Sequence, residues 1–428
     1  MEYSLSSSLV GGSGSINPDA LSLDLQFASD KTLTARKGPT PVLTRANTTA
    51  TFVGSNGTIQ NATTNVARFD HNKSYSSAYL VLSGSPVDSS SNAVDIAGPI
   101  EFTGWDGSSP VQFPGFNYSN LSIGFAEIAF SGSYWLVSAN DGDFTARRLI
   151  SDGINGSYSI INGSGTLTVT AVHPCKGLLI EEQRENILTN TNGDLSTQTK
   201  TVTAVQHTLS FYGTGQIELS GAAAAVVSPA GNYGDRKTLT FTPSAGSLTL
   251  TVTGSVQFAQ LEIGAFATSF IPTSGTSLVR SADVCSITGS DFTRIWNRFA
   301  GTGIASISGM SSNSGRFIAN NIGARALEVY KSGGNTLFFE AGGSQEIIIS
   351  SSSTIPFKVG VAYAINDYQG SFNGTLGGVD TNTGGTIPDA TSLSIGNLNN
   401  GNFINGTISS IRYFKKRLAN AKLITLTT

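Results

Sequence analysis

The chain has 428 residues, of which 12% are charged and 39% apolar, and its 25 basic and 28 acidic side chains leave a net charge of −3. That length is enough for about three domains, and low net charge with a 9% aromatic share argues against disorder throughout. The balanced charge offers no footprint for gripping a phosphate backbone, and no apolar run reaches about 18 residues, so neither nucleic acid nor a membrane is an expected partner.

In chain order, residues 1–20 are Ser/Gly-rich, without the basic start and apolar core of a signal peptide, and read as an extended anchor arm. Residues 21–73 read as strands, with Asn56-Gly57 as a two-residue hairpin turn between Ala50-Thr51-Phe52-Val53 and Thr58-Ile59-Gln60. Residues 74–173 carry their own aromatic set (Phe102, Trp105, Phe113, Phe116, Phe125, Phe130, Tyr134, Trp135, Phe144), enough for an independent small module. Residues 174–284 are Thr-rich. There Thr208-Leu209-Ser210-Phe211-Tyr212 and the run 247–253 alternate apolar and polar side chains, as Thr166-Leu167-Thr168-Val169-Thr170 does upstream, the pattern of half-buried antiparallel strands. Residues 285–428 add more strands, a short helix over 291–300 and another over 418–426, with Leu418, Leu423 and Leu426 facing a sheet. Asn155-Gly156, Asn162-Gly163, Asn373-Gly374 and Asn405-Gly406 mark further turns, since Asn and Gly tolerate positive φ. No repeat of fixed period is present. The fold class expected is all-β, built as tandem antiparallel β-sandwiches with an inserted small β module.

Chemistry-bearing constellations are scarce. There are three histidines and two cysteines, and no HExxH, GxSxG or zinc-spaced cluster. Asp70-His71 has the composition of an acid–base pair, with a turn or an interdomain hydrogen bond as the favoured reading. Glu181, Glu182 and Glu185 form the densest acidic cluster; neighbours on one strand point to opposite faces, and Arg184 beside them favours structural ion pairing over glycosidic catalysis. Asp141-Gly142-Asp143 and Asp106 have oxygen ligands at calcium-like spacing, yet no EF-hand follows, and Asp-Gly is an ordinary turn. Cys175 and Cys285 form one bridge at most and read as small buried thiols. Trp105 beside Gly104 and Asp106, with Tyr134 and Tyr330, are the candidate glycan contacts, because an exposed aromatic face packs on a sugar ring; Trp135 and Trp296 read as packing. The Asn-x-Ser/Thr sequons follow from composition. No catalytic residue, metal ligand or cofactor site is expected.

Several segments, in order, resemble structural proteins of tailed bacteriophages. They are Leu43-Thr44-Arg45-Ala46, Arg68-Phe69-Asp70, the run Gly177-Leu178-Leu179-Ile180-Glu181-Glu182 through Asn186-Ile187-Leu188, and Gln260-Leu261-Glu262 through Ser269-Phe270-Ile271-Pro272-Thr273. The stretch Leu393-Ser394-Ile395-Gly396, Asn405-Gly406-Thr407-Ile408 and Ile411-Arg412-Tyr413-Phe414 is similar to the close of a concanavalin A-like (laminin G-like) lectin domain. The resemblance implies a jelly-roll, carbohydrate-module-like sandwich made of 21–73 plus 174–284, interrupted by a module at 74–173, and a lectin-fold domain at 285–428. It further implies a non-enzymatic tail-fibre or head-fibre/decoration subunit on the virion surface, assembled in the host bacterial cytoplasm. The partners implied are other virion proteins, further copies of the chain (a trimer would cover sheet edges) and host-surface polysaccharide. The competing expectations are a dedicated glycan-binding adhesin and a capsule depolymerase; the latter lacks the repeats of a long β-helix. Fold alone establishes no sugar or calcium ligand.

Overall fold

The computed structural model describes residues 20–428 except 48, 56, 229–235, 312–314, 322–326, 333–335, 342–344, 351–353, 380–389 and 399–400; between 73 and 173 it describes strand backbone only, and side chains at several strand positions between 319 and 379 are likewise outside it. The chain is nearly all β, and every strand pair is antiparallel. One sheet runs Thr375–Val379, Asp367–Phe372, Phe357–Ala364, Ala300–Met310, Gly406–Phe414, Cys175–Ile180, Phe69–His71, with Leu21–Leu25 also on Gly406–Phe414. The sheet facing it runs Val42–Thr44, Val284–Thr288, Ser392–Ile395, Gly315–Asn321, Leu327–Ser332, Thr336–Ala341, Gln345–Ser350. Leu178, Ile180, Cys285, Ile287, Ile307, Phe317, Phe357 and Ile408 fill the space between them.

Alternation along the central strand explains how both its faces are used. Ala305 and Ile307 enter the main core, whereas Ile304 points outward and meets Ala362, Phe414 and Leu423. Leu423 belongs to the terminal helix Asn420–Thr427, and Leu418 and Leu426 pack at the same cluster, as the sequence pattern implied. The other expected helix spans Gly289–Ile295 rather than 291–300: it starts two residues earlier and ends where Trp296 turns extended (φ −87°, ψ 145°).

A second sandwich pairs Gln198–Val202, Gly246–Thr253, Gln216–Gly221 and Ala225–Val227 in one sheet and Lys237–Phe241, His207–Tyr212 and Gln257–Ile263 in the other, around Leu209, Phe211, Ile217, Leu248, Leu250 and Leu261. Gly246–Thr253 is half-buried as expected. His207–Tyr212 is buried on both faces: Thr208 Oγ1 donates to Gly264 O (2.8 Å) and Ser210 Oγ accepts from Arg236 (2.7 Å), so their polar groups are satisfied without water.

The pairing cuts across the expected boundaries. Leu21–Leu25 and Val42–Thr44 join strands from beyond residue 284, and so do Phe69–His71 and Cys175–Ile180, so much of the supposed discontinuous jelly-roll belongs to the C-terminal sandwich. Strands between 79 and 172 pair only with one another among the pairings described. The two ends of that block are neighbours: Cys175 lies opposite His71, and Asn72 N donates to Pro174 O at 3.0 Å. Residues 1–19 lie outside the described residues.

The turns follow their residues. At Asn373-Gly374 both φ are positive (43° and 77°) with Phe372 opposite Thr375, a two-residue hairpin. The Ala50–Val53/Ile59–Ala62 hairpin is present, but its loop is longer than two residues. Gly57 (φ 74°) donates to Gly54 O, and Gly54 N bonds Thr58 O, which closes a three-residue loop through a glycine bulge; Asn56 itself lies outside the described residues. Asn405 has positive φ (46°), yet Gly406 opens a long strand instead of turning a hairpin. Gly177 supplies a different need. The ladder between Cys175–Ile180 and Phe69–His71 slips between Cys175 and Gly177, where φ is 120° and a Cβ would stand 2.1 Å from Ile408 O.

Candidate functional site

The largest fully buried side chains include three arginines, Arg45, Arg68 and Arg280. They meet Glu181 and Asp283 where the two sandwiches and the Ala50–Val53 hairpin come together. Arg45 Nη1 donates to Asp283 Oδ1 (2.9 Å) and its Nη2 to the carbonyls of Thr63 (2.6 Å) and Val66 (3.0 Å). Arg68 reaches Glu181 Oε2 (2.8 Å), Asp283 Oδ2, Thr51 O (2.8 Å) and Ser269 Oγ (2.6 Å). Arg280 donates to Glu181 Oε2 (2.7 Å), Ser269 Oγ (2.9 Å) and Glu182 O. Glu181 and Asp283 are also joined through the backbone, by Asp283 N to Glu181 O (2.9 Å) and Glu181 N to Asp283 Oδ2 (3.0 Å). Burial alone would raise the Glu181 carboxyl, but Arg280 and Arg68, with two hydrogen bonds from Ser269, outweigh it and hold it at about 2. Glu181 is therefore ionised and fully engaged, a fastener with no proton to give or take at neutral pH.

Beside this cluster opens a cleft of about 320 Å³, at the lower end of small-ligand sites. Thr51, Phe52, Val53 and Ile59 form one wall, Asp70, His71 and Lys176 another, and Tyr212, Arg236 and Phe270 come from the second sandwich and its loop. Val53 is gripped from both ends: its N–H donates to Asp70 Oδ1 (2.8 Å), and its carbonyl accepts from His71 Nδ1 (3.0 Å). Asp70 Oδ2 pairs with Lys176 Nζ at 2.6 Å. Burial lowers the His71 imidazole below its ordinary value, the Val53 bond working the other way and Lys31 adding to the fall, so the ring is neutral at pH 7. With Nδ1 as donor, Nε2 carries the lone pair; that nitrogen is buried and makes no hydrogen bond.

Thus Asp70, His71 and Glu181 line one cleft, and the sequence singled out all three, but Glu181 and Asp70 already have their partners. Glu185 lies apart, exposed on Arg184–Asn186, where it lines a separate depression with Glu182, Arg184, Ile263 and Val279. Arg184 pairs with Glu182 at 2.6 Å, the ion pair its position suggested. His207 is buried, with Nδ1 on Val205 O (2.7 Å) and its ring near Phe241. Cys175 and Cys285 are free thiols, the second fully buried. Trp296 packs between Phe292 and Tyr413. Trp105, Asp106, Asp141 and Gly142 lie outside the described residues, as do the side chains of Tyr134, Trp135 and Tyr330. Among the described residues no three of His, Cys, Asp and Glu gather as a metal site, and no helix is long and apolar enough to cross a membrane. The sequence gives Arg45 and Arg68 a place only within the phage-like segments, with no role of their own, and Arg280 and Asp283 none. The available signal was an arginine embedded beside apolar residues in a chain of low charge.

No family model and no curated protein matches the chain. Among solved structures it is similar to the CBM40 module of Ruminococcus gnavus IT-sialidase, bound to α2,3-sialyllactose (12% identity, 33% of this chain and 96% of that one, TM-score 0.28). It is also similar to domain 4 of AbnA, a GH43 extracellular arabinanase of Geobacillus stearothermophilus, in complex with arabinotriose (12%, 38% and 81%, 0.28). Trypanosoma rangeli sialidase matches over 94% of this chain and 96% of its own at 11% identity and a TM-score of 0.27. Likeness at that level assigns no activity to this chain.

Proposed function

We propose that the chain is a non-enzymatic display protein of a tailed-phage particle, a tail-fibre or head-fibre subunit whose sandwiches stand on the virion surface and engage host-surface glycan. The observation that carries this reading is the use made of the charged residues in the phage-like segments. Arg45, Arg68 and Glu181 are buried in the ionic cluster, and Glu262 is buried with its carboxylate on Gln260 (2.6 Å) and Thr268 N (3.0 Å). Those segments therefore encode a stiff junction between sandwiches, which is what an exposed appendage requires. A hydrolase would keep a carboxyl free to exchange protons, whereas Glu181 and Asp70 are held by cations. The exposed surfaces are rich in neutral polar groups, and self-association, a trimer in the simplest case, would cover the open sheet edges.

Immunogold labelling of purified particles tests the reading. Label on a fibre or on the head lattice is the expected result, and particles that lack the chain refute it.

A further inference from the structure

The cleft between the hairpin and the second sandwich has features that the ionic junction does not use. Its charges are already matched: Asp70 by Lys176, Glu181 by Arg68 and Arg280, while Arg236 acts on the buried Glu262. Among the described lining residues each charge therefore has a group of opposite sign close by, although the adjoining cluster sets three arginines against two carboxylates. Two polar atoms of lining residues nonetheless have no hydrogen bond, His71 Nε2 and Arg236 Nε. The first is an acceptor by the tautomer that Val53 O imposes, and the second is a donor. A hydroxyl group is a neutral group that both donates and accepts through one atom, directly or through one ordered water. Half-buried Phe52, Ile59 and Met310 give the same cleft an apolar side, against which the C–H face of a sugar ring packs.

From these features we infer that the cleft binds a neutral saccharide unit, its hydroxyls meeting the Asp70–Lys176 pair and the His71 and Arg236 nitrogens and its ring face resting on Phe52 and Met310. This rests on the display reading and names the ligand class of its glycan contact; it places that contact at the sandwich junction, away from Trp105, Tyr134 and Tyr330.

The chain has two methionines, which permits a test on the unaltered protein. Protein labelled with ¹³C at the methionine methyls is titrated with maltose, lactose and N,N′-diacetylchitobiose, and separately with 3′-sialyllactose and glucuronate; Met310→Leu assigns the signals. The expected result is a saturable shift of the Met310 methyl with at least one neutral disaccharide and none at Met1. Lys176→Met and Phe52→Ala should each weaken that binding at least tenfold, while Arg294→Ala, on an exposed helix face, leaves it unchanged. A silent Met310 with all three neutral sugars, or a preference for the anionic ones, overturns the inference. So does neutral-sugar binding that both cleft variants leave intact. A chain found on particles that ignores sugar refutes this inference alone, and a sugar-binding chain absent from particles refutes the display reading alone.

Discussion

Asp283→Asn is the most informative single change. The Asp283 carboxylate is wholly buried and stands between Arg45 and Arg68, with the Glu181 amide as a third donor. Asparagine keeps the volume and one acceptor oxygen, so the change isolates the charge. Three buried guanidinium groups then face the single carboxylate of Glu181. Breaking a buried pair by neutralising one partner costs about 3–5 kcal/mol, because the remaining charge stays desolvated. In a sandwich of this size that corresponds to a melting point lower by roughly 10 °C. The assay is a urea and thermal melt followed by circular dichroism, with the Asp283→Asn/Arg45→Met double variant alongside. Removing Arg45 as well takes away one stranded charge, so the double variant should be less destabilised than the sum of the singles by about 1 kcal/mol or more. A single-variant cost below about 1 kcal/mol, or strict additivity, would refute the claim that this junction is held by charge.

Acid should loosen the same junction. Glu181 is held at about 2 against an ordinary 4.5, so its contribution is complete above pH 4.5 and fades as pH falls from there through 2; the linked stability is about 3 kcal/mol. Glu181→Gln should flatten the stability–pH slope across that window, and an unchanged slope would remove Glu181 as its source. Gly177→Ala places a methyl group against Ile408 O at a φ of 120°, a strain that should exceed about 3 kcal/mol and deplete soluble protein. Near-normal expression and melting would show that the bulge relaxes.

The fold class was legible because period-2 alternation survives in strands such as Gly246–Thr253, where Leu248 and Leu250 face the core and Thr249 and Thr251 do not. Alternation stops being informative where a second layer covers the polar face, as at Thr208 and Ser210, since a hydrogen-bonded hydroxyl in the interior and a solvated one have the same spelling. Chain grouping was less legible, because strand partners such as Leu23 and Tyr413 lie almost at opposite ends of the sequence. The ionic junction was hidden for the same reason: Arg45 and Asp283 are 238 positions apart, and each alone looks like one surface charge. Asp70, His71 and Glu181 could be noticed as titratable groups, but nothing local reveals that Val53 and Ser269 orient them. Glu185 fell away because strand geometry sends it to the exposed side of its ribbon.

The backbone bond from Asn72 to Pro174 closes a long excursion of the chain at its base. A strand leaves the scaffold and its neighbour returns through the same doorway, with His71 and Cys175 as the two jambs. Because these two ends already meet, the length of chain that runs between them imposes no stretch on the sheets behind it.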